Sequence, residues 1–209
     1  MTDERGMFHG SESHPPGPRR FWLALVLVAI WLAPAPCPGR TLGGITLPDR
    51  IEVAGTRLQL VGLGRWRRFF DTRYLVGLYL VRPPKSEKAA LRPNQIKQLR
   101  IEFPAKNLTR SRFVDGLNQG LYDNNPPATL AKLAPQIKKF LSLLSKINTA
   151  RHGRLVLTYL PREGTTVYFN RRKLGVIEGH QFMTALFSVW LGENPVSAGL
   201  KRHLLGGRP

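Results

Sequence analysis

Arg65, Arg67 and Arg68, with Tyr74 and Tyr79 a few residues downstream, are the residues whose types and spacing bear most directly on chemistry. A guanidinium can grip a carboxylate through two parallel hydrogen bonds, and a tyrosine hydroxyl can complete the grip, so the chemistry in view is recognition of an acidic group. Strand alternation puts Arg65 and Arg67 on one face and Arg68 on the other. Tyr74 and Tyr79 are five positions apart, so on an unbroken strand they face opposite ways, and each equally suits a core position. Asn118 falls in a helical pattern, where it either lines a cleft or meets solvent. The competing reading of the arginines is a basic, solvated edge strand that resists aggregation.

Other chemistries lack their residues. Gly62-Leu63-Gly64 follows a strand pattern as a dinucleotide-binding turn would, but Arg67 stands where the third glycine belongs, and strand rather than helix pattern follows. There is no Gly-x-Ser-x-Gly elbow, and the serines and histidines form no recognisable triad. Cys37 is the sole cysteine, and His9, His14, His152, His180 and His203 lie far apart without metal-site spacing. Neither an intrachain disulfide nor a zinc site is expected.

The elements that must position these residues come in runs. Ile45 and Leu47, a Pro48-Asp49 turn, Ile51 and Val53, an Ala54-Gly55 turn, then Leu58 and Leu60 and, after a break, Phe69 and Phe70 read as an antiparallel meander. Tyr74 to Val81 is apolar on both faces and reads as a central strand ended by Pro83-Pro84. Lys85 to Leu91 suits a short helix, and Lys97 to Phe103 another strand. Two amphipathic helices follow. Phe113, Leu117 and Leu121 stripe the first, and Leu130, Leu133, Ile137, Phe140, Leu141 and Leu144 stripe the second, opposite Lys132, Lys139 and Lys146. Three short strands at 155–160, 165–169 and 174–177 precede a helix striped by Phe182, Leu186, Phe187, Trp190 and Leu191, which Gly192 can cap. Ser197 begins a last short helix. Runs of strands and helices, without strict βαβ alternation, predict an α+β fold with helices packed on a mainly antiparallel sheet.

Residues 1–40 read as a polar stretch and a secretory signal. Arg19-Arg20 precede the apolar run Phe21 to Ala33, whose thirteen residues would rise only about 20 Å as a helix, short of the ~30 Å bilayer core. Export, to a periplasm in a bacterial-type cell, is the expectation, with N-terminal membrane anchoring as its alternative. Pro36 before Cys37 does not suit a lipoprotein signal. Asp3, Glu4 and Glu12 cancel Arg5, Arg19 and Arg20, so the whole formal net charge of +19 belongs to the part after Cys37. Such a charge attracts polyanions and anionic membrane surfaces at long range, and a solvated basic surface accounts for it equally.

The run Phe187 to Leu205, FSVWLGENPVSAGLKRHLL, resembles the end of chalcone isomerase-like proteins. Gly62-Leu63-Gly64 with its arginines, Phe69-Phe70, and Tyr74 to Leu80 resemble the family's arginine-bearing strand pair, and Leu157 to Thr166 the segment before its closing hairpin. The resemblance spans Thr41 to Leu205 and makes 41–209 the domain. It implies an open-faced β-sandwich, a curved antiparallel sheet with helices layered on one face. In the plant enzymes a cleft between sheet and helices holds a flavonoid, and a phenolate oxygen adds to an enone without a cofactor. Other branches of the family are non-catalytic, some binding fatty acids in that cleft through an arginine and a tyrosine.

Carried over residue by residue, the resemblance disfavours catalysis. The family's strand threonine falls on Tyr74, its helix tyrosine on Ser111 and its late-helix threonine on Val189, while its helix asparagine matches Asn118. Arg65 and Arg67 are the candidates for its arginine. Losing three of four polar positions would disable the arrangement that orients an attacking oxygen. The expectation is an exported, non-catalytic protein that binds a fatty acid or similar acidic hydrophobic ligand in the cleft through Arg65, Arg67, Tyr74 and Asn118, with no cofactor or metal. The alternative is a basic surface protein for an anionic membrane or polyanion, nucleic acid not being its physiological partner. A third reading is a diverged intramolecular lyase or isomerase. Residues 1–40 fused to alkaline phosphatase, which matures only after export, should yield active enzyme in a bacterial periplasm. Placing arginine at Leu25 and Ile30 should abolish that activity.

Overall fold

The Ala54-Gly55 pair joins its strands as a two-residue hairpin loop, both residues at positive φ (48° and 71°), the geometry that matches the twist of antiparallel strands. The computed structural model describes residues 38–68, 71–104, 108–149 and 152–207. The expectations placed on 1–37 lie outside them. Strands β1 (Gly39–Leu42) and β2 (Ile45–Pro48) form a separate hairpin. Strands β3 (Arg50–Val53), β4 (Thr56–Arg68), β5 (Asp71–Leu80), β6 (Lys97–Glu102), β7 (Arg154–Leu160), β8 (Gly164–Phe169) and β9 (Arg172–Ile177) make one antiparallel sheet whose spatial order is the chain order. Gly39 and Arg40, outside the expected 41–209 domain, are thus strand residues.

Helix α1 (Glu87–Leu91) lies between β5 and β6, and α2 (Arg110–Asn124), α3 (Pro127–Lys132) and α4 (Ala134–Leu144) lie between β6 and β7. Helices α5 (His180–Leu191) and α6 (Ala198–Leu204) follow the sheet. The second amphipathic stripe, read from sequence as one helix, is two. Leu133 closes α3 and opens α4 at φ −93° and ψ 3°, and Pro135, lacking an amide hydrogen, suits the start of the new helix. Gly192 closes α5 with an extended φ of −74° rather than a left-handed cap. A Cβ there would collide with the Asn124 side chain and Ser188 O.

The helices cover one face of the sheet. On that face Tyr74, Val76, Leu78 and Leu80 of β5, Leu99 and Ile101 of β6, and Leu155 and Leu157 of β7 meet Phe113, Phe140, Phe182, Phe187 and Trp190 in the main core. Each such side chain contributes roughly 1.5–3 kcal/mol by leaving water. A second, smaller cluster on the opposite face joins Leu47 of the β1–β2 hairpin to Leu58, Leu60, Leu63, Leu75 and Tyr79.

Strand β4 serves both faces because its register shifts. Leu60 pairs with Tyr79, but Gly62 already pairs with Leu78, so Val61 is an extra residue and the strand changes the parity of its side chains there. Gly62 and Gly64 consequently face α6. A Cβ on Gly62 would fall on the carbonyl oxygen of His203, so only glycine permits this approach. The shift diverts two carbonyls from the ladder, and the Arg40 guanidinium of β1 donates to both Leu60 O and Val61 O (3.3 Å for the latter) while its Nε donates to Asp49 Oδ1 at 3.1 Å. Arg40→Ala should therefore cost about 1–2 kcal/mol in chemical denaturation, and Arg40→Lys should recover only part of it.

Lys97 is fully buried on the helix face of β6. Its Nζ donates to Ala90 O at 2.5 Å and Arg92 O at 2.6 Å, holding the end of α1 to the sheet. Burial lowers its pKa to about 8 from an ordinary 10.5. Between these values the unfolded chain holds the extra proton, so the residue's contribution is complete above 10.5 and is lost as pH falls to about 8. Thermal and urea unfolding should show wild type gaining on Lys97→Met by up to roughly 3 kcal/mol across that window, with a constant difference below it.

Candidate functional site

Tyr74 points from β5 into the space between sheet and helices, where a cleft was expected. Its ring stacks on Trp66 of β4 (centroids 5.3 Å apart) and meets Phe103 and Phe113 edge-on. Its hydroxyl accepts from Trp190 Nε1 at 3.3 Å, across to α5. Burial pushes the Tyr74 pKa well above the ordinary tyrosine value, more than the Trp190 bond lowers it, so the phenol stays neutral. The space left amounts to about 30 Å³, bordered by Trp66, Tyr74, Arg112, Phe113, Gly116 and Val189 among others, enough for about one water. Val189 packs against the Gly120 position of α2.

Arg65 and Arg67 do not reach this interior. Trp66 pairs with Tyr74 and shares the helix face, whereas Arg65 pairs with Leu75, which belongs to the second cluster. Arg65, half-buried, is therefore on the face away from the helices, and Arg67, exposed, follows it along β4. The expected pairing of a β4 arginine with Tyr74 in one cleft is corrected: the sheet stands between them. The physical reason is the extra residue at Val61, which places Leu63, Arg65 and Leu60 on one side. Tyr79 does share that outer face. Its hydroxyl donates to Pro48 O at 2.9 Å, and Arg100 lies 4.9 Å over its ring. Burial raises the Tyr79 pKa to about 12 against the lowering effect of Arg100.

Asn118 is on a different side again. Phe113, Leu117 and Leu121 of α2 turn inward, and Asn118 lies beside a groove of about 550 Å³ that runs between α2, α3 and α4. Leu121, Leu130, Ala131, Ala134, Ile137 and Leu141 supply its apolar lining, and Asn118, Tyr122 and Lys138 its polar groups. That volume is in the range of small-molecule sites. Tyr122 is 71% exposed. Of the four residues expected to meet one ligand, Tyr74 is interior, Asn118 borders the helical groove, and Arg65 and Arg67 occupy the far face of the sheet.

Lys138 and the groove itself were missed from sequence. The stripe of α4 is wider than its core contact needs: Phe140, Leu143 and Leu144 are buried, while Ile137 and Leu141 are only partly so. That surplus of apolar positions was the available signal. Among the described residues no His, Cys, Asp and Glu side chains group closely enough to hold a metal ion, and no helix is long and apolar enough to cross a membrane.

Comparison with known proteins agrees with this architecture. No curated protein matches the chain in sequence. A crystal structure of an Arabidopsis thaliana fatty-acid-binding protein superposes with a TM-score of 0.63 at 16% identity, over 81% of this chain and 96% of that one. The curved antiparallel sheet with helices on one face is the fold the two share. The family model described as chalcone isomerase-like matches residues 39–206, and the chain belongs to that family.

Proposed function

We propose that this protein is an exported, non-catalytic binder of an acidic hydrophobic molecule, a fatty acid or a compound of similar form, held in the groove between α2, α3 and α4. The observation that carries the reading is the groove: about 550 Å³ of mainly apolar lining with the Lys138 amine and the Asn118 amide beside it. An acyl chain would leave water against Leu121, Leu130, Ile137 and Leu141, and Lys138 would meet the carboxylate. The Arabidopsis thaliana protein of similar fold is a fatty-acid-binding protein, which supports the ligand class and leaves the position to this chain's own geometry.

The sheet–helix interior supports binding there less well. Trp66 and Tyr74 fill it with stacked rings, and Trp190 Nε1 donates to the Tyr74 hydroxyl. The isomerase reading finds little support in the same place, since the lining offers only the Trp66 indole, the Tyr74 hydroxyl and Arg112 as polar side chains, too few to orient and deprotonate an attacking phenol.

Native mass spectrometry of the mature protein, followed by extraction and titration of the delipidated protein with a fluorescent long-chain fatty acid, tests the reading. Stoichiometric binding is expected. Ile137→Asp should weaken it more than tenfold by setting a carboxylate on the apolar wall. Lys138→Ala should weaken it about fivefold, the scale of an exposed ion pair. Arg65→Gln with Arg67→Gln should leave it unchanged. Loss of binding in that arginine pair alone, or a protein that binds no acyl carboxylate, would overturn the proposal.

A further inference from the structure

Arg100 of β6 and Arg154 of β7 are held in fixed positions on the outer face of the sheet. Leu99 and Ile101, like Leu155 and Leu157, turn toward the helices. Gln98, Arg100 and Glu102 therefore face the other way, paired in register with Thr158, Val156 and Arg154. Arg100 Nε donates to Gln98 Oε1 at 2.7 Å, and Gln98 Nε2 donates in turn to Thr158 Oγ1 at 2.8 Å. Arg154 Nε donates to Glu102 Oε1. Each guanidinium is thus anchored through its inner nitrogen, and among the described residues neither terminal fork, Nη1 with Nη2, has a hydrogen-bond acceptor.

These arginines stand beside a wall. The β1–β2 hairpin lies on the neighbouring strand β5, where Leu47 packs on the bare backbone of Gly77, Gly43 meets Leu75, and Pro48 O accepts from Tyr79. Gly77 pairs with Arg100 and Leu75 with Glu102, so hairpin and sheet make a corner with the guanidiniums at its foot. On the side away from the hairpin, Val156 and Tyr168 are only half-buried, and the corner meets solvent there. Its charge is unbalanced. Both arginines are half-buried, and the one carboxylate between them, Glu102, is bonded to Arg154 alone. Burial lowers the Arg100 pKa and the like charge of Arg154 lowers it too, against the opposing effects of Tyr79 and Glu102. Arg40 and Asp49 nearby pair with each other and leave the sum unchanged.

An anion between the two forks would relieve that repulsion. A planar carboxylate is saturated by a single fork, whereas a tetrahedral oxyanion presents oxygens in several directions and can accept from guanidiniums on separate strands. We infer that Arg100 and Arg154 form a binding site for a phosphate group in the corner between the hairpin and the outer face of the sheet, with Gln98 and Glu102 as positioning residues. The phosphate group is the shared chemistry of a free ion, a soluble phosphate monoester and a lipid headgroup. Because the helices that border the groove lie on the opposite face of the sheet, this site is independent of the acidic hydrophobic ligand.

Isothermal titration of the purified mature protein with inorganic phosphate at fixed ionic strength provides the test, with acetate as the comparator. Phosphate should bind at one site per chain, and acetate more weakly. Arg100→Gln and Arg154→Gln should each weaken phosphate by roughly tenfold or more, the scale of a hydrogen bond to a charged group. Arg100→Lys, which keeps the charge and loses the fork, should recover only part of that loss. Since Arg154→Gln also strips Glu102 of its cation, Glu102→Gln is the second variant: it removes the competing carboxylate and should tighten phosphate binding, a gain that a misfolded protein cannot give. The control pair R50Q and R57Q takes the same charge from exposed positions on β3 and β4 and should change the affinity by less than about twofold, since distant exposed charges are screened. Absence of phosphate binding, equal affinity for acetate, or losses in the Arg100 and Arg154 variants no larger than in the control would overturn the site. Glycerol 3-phosphate and vesicles containing phosphatidic acid then separate the sources: binding of the first alone assigns a soluble monoester, of the vesicles a lipid headgroup, and of neither the free ion. Fatty-acid titration of the same variants should be unchanged, so loss of phosphate binding sinks this inference without touching the groove.

Discussion

One extra residue in β4 governs how this chain is arranged. Val61 has no partner of its own on β5, and its insertion reverses which side chains of β4 face the helices. Before it, Leu58 and Leu60 face the β1–β2 hairpin; after it, Gly62, Gly64 and Trp66 face the main core. The reversal puts bare backbone opposite α6, which lies close because no Cβ intervenes. It also puts Arg65 on the outer surface. Arg40 of β1 holds the distortion by donating to the Leu60 and Val61 carbonyls on either side of the shift. The hairpin is thereby tied to the feature that gives it a surface to cover.

With the parity of β4 set, the contents of the sheet–helix interior follow. Trp66 is delivered to Tyr74, and α5 brings Trp190 to the same hydroxyl. An aromatic cluster of that size is a core rather than a cleft, and it leaves room for little more than a water molecule. The family fold is retained while its central space is used for packing. A groove lies instead among the helices, where α3 ends and α4 begins at Leu133, with Leu130, Ile137 and Leu141 in its lining.

The buried lysine illustrates how a strand can carry a charge into a core without a counter-ion. Lys97 meets only carbonyl oxygens, those of Ala90 and Arg92 at the end of α1, which a neutral or a protonated amine can satisfy equally. Burial favours the neutral form. Glu87 of the same helix pairs instead with Lys201 of α6, so α1 is held to the sheet at one end and to the last helix at the other.

The sequence by itself determined the class and the order of elements. The continuous apolar run Tyr74 to Val81, the Ala54-Gly55 turn and the stripes of Phe113–Leu121 and Phe182–Leu191 are local signals, and each produced the expected element. The end of the chain, Phe187 to Leu205, carried the family. Tyr74 and Tyr79 do face opposite ways, because β5 has no irregularity between them. The bulge at Val61 was invisible, since an inserted residue leaves the same string of apolar letters and declares itself only when a partner strand fixes the register. For the same reason the side of the sheet occupied by Arg65 and Arg67 was not legible. The groove containing Asn118 and Lys138 was decided by tertiary structure alone: it is a space between α2, α3 and α4, and the distance between helices is set by what packs beneath them, not by any one helix's sequence.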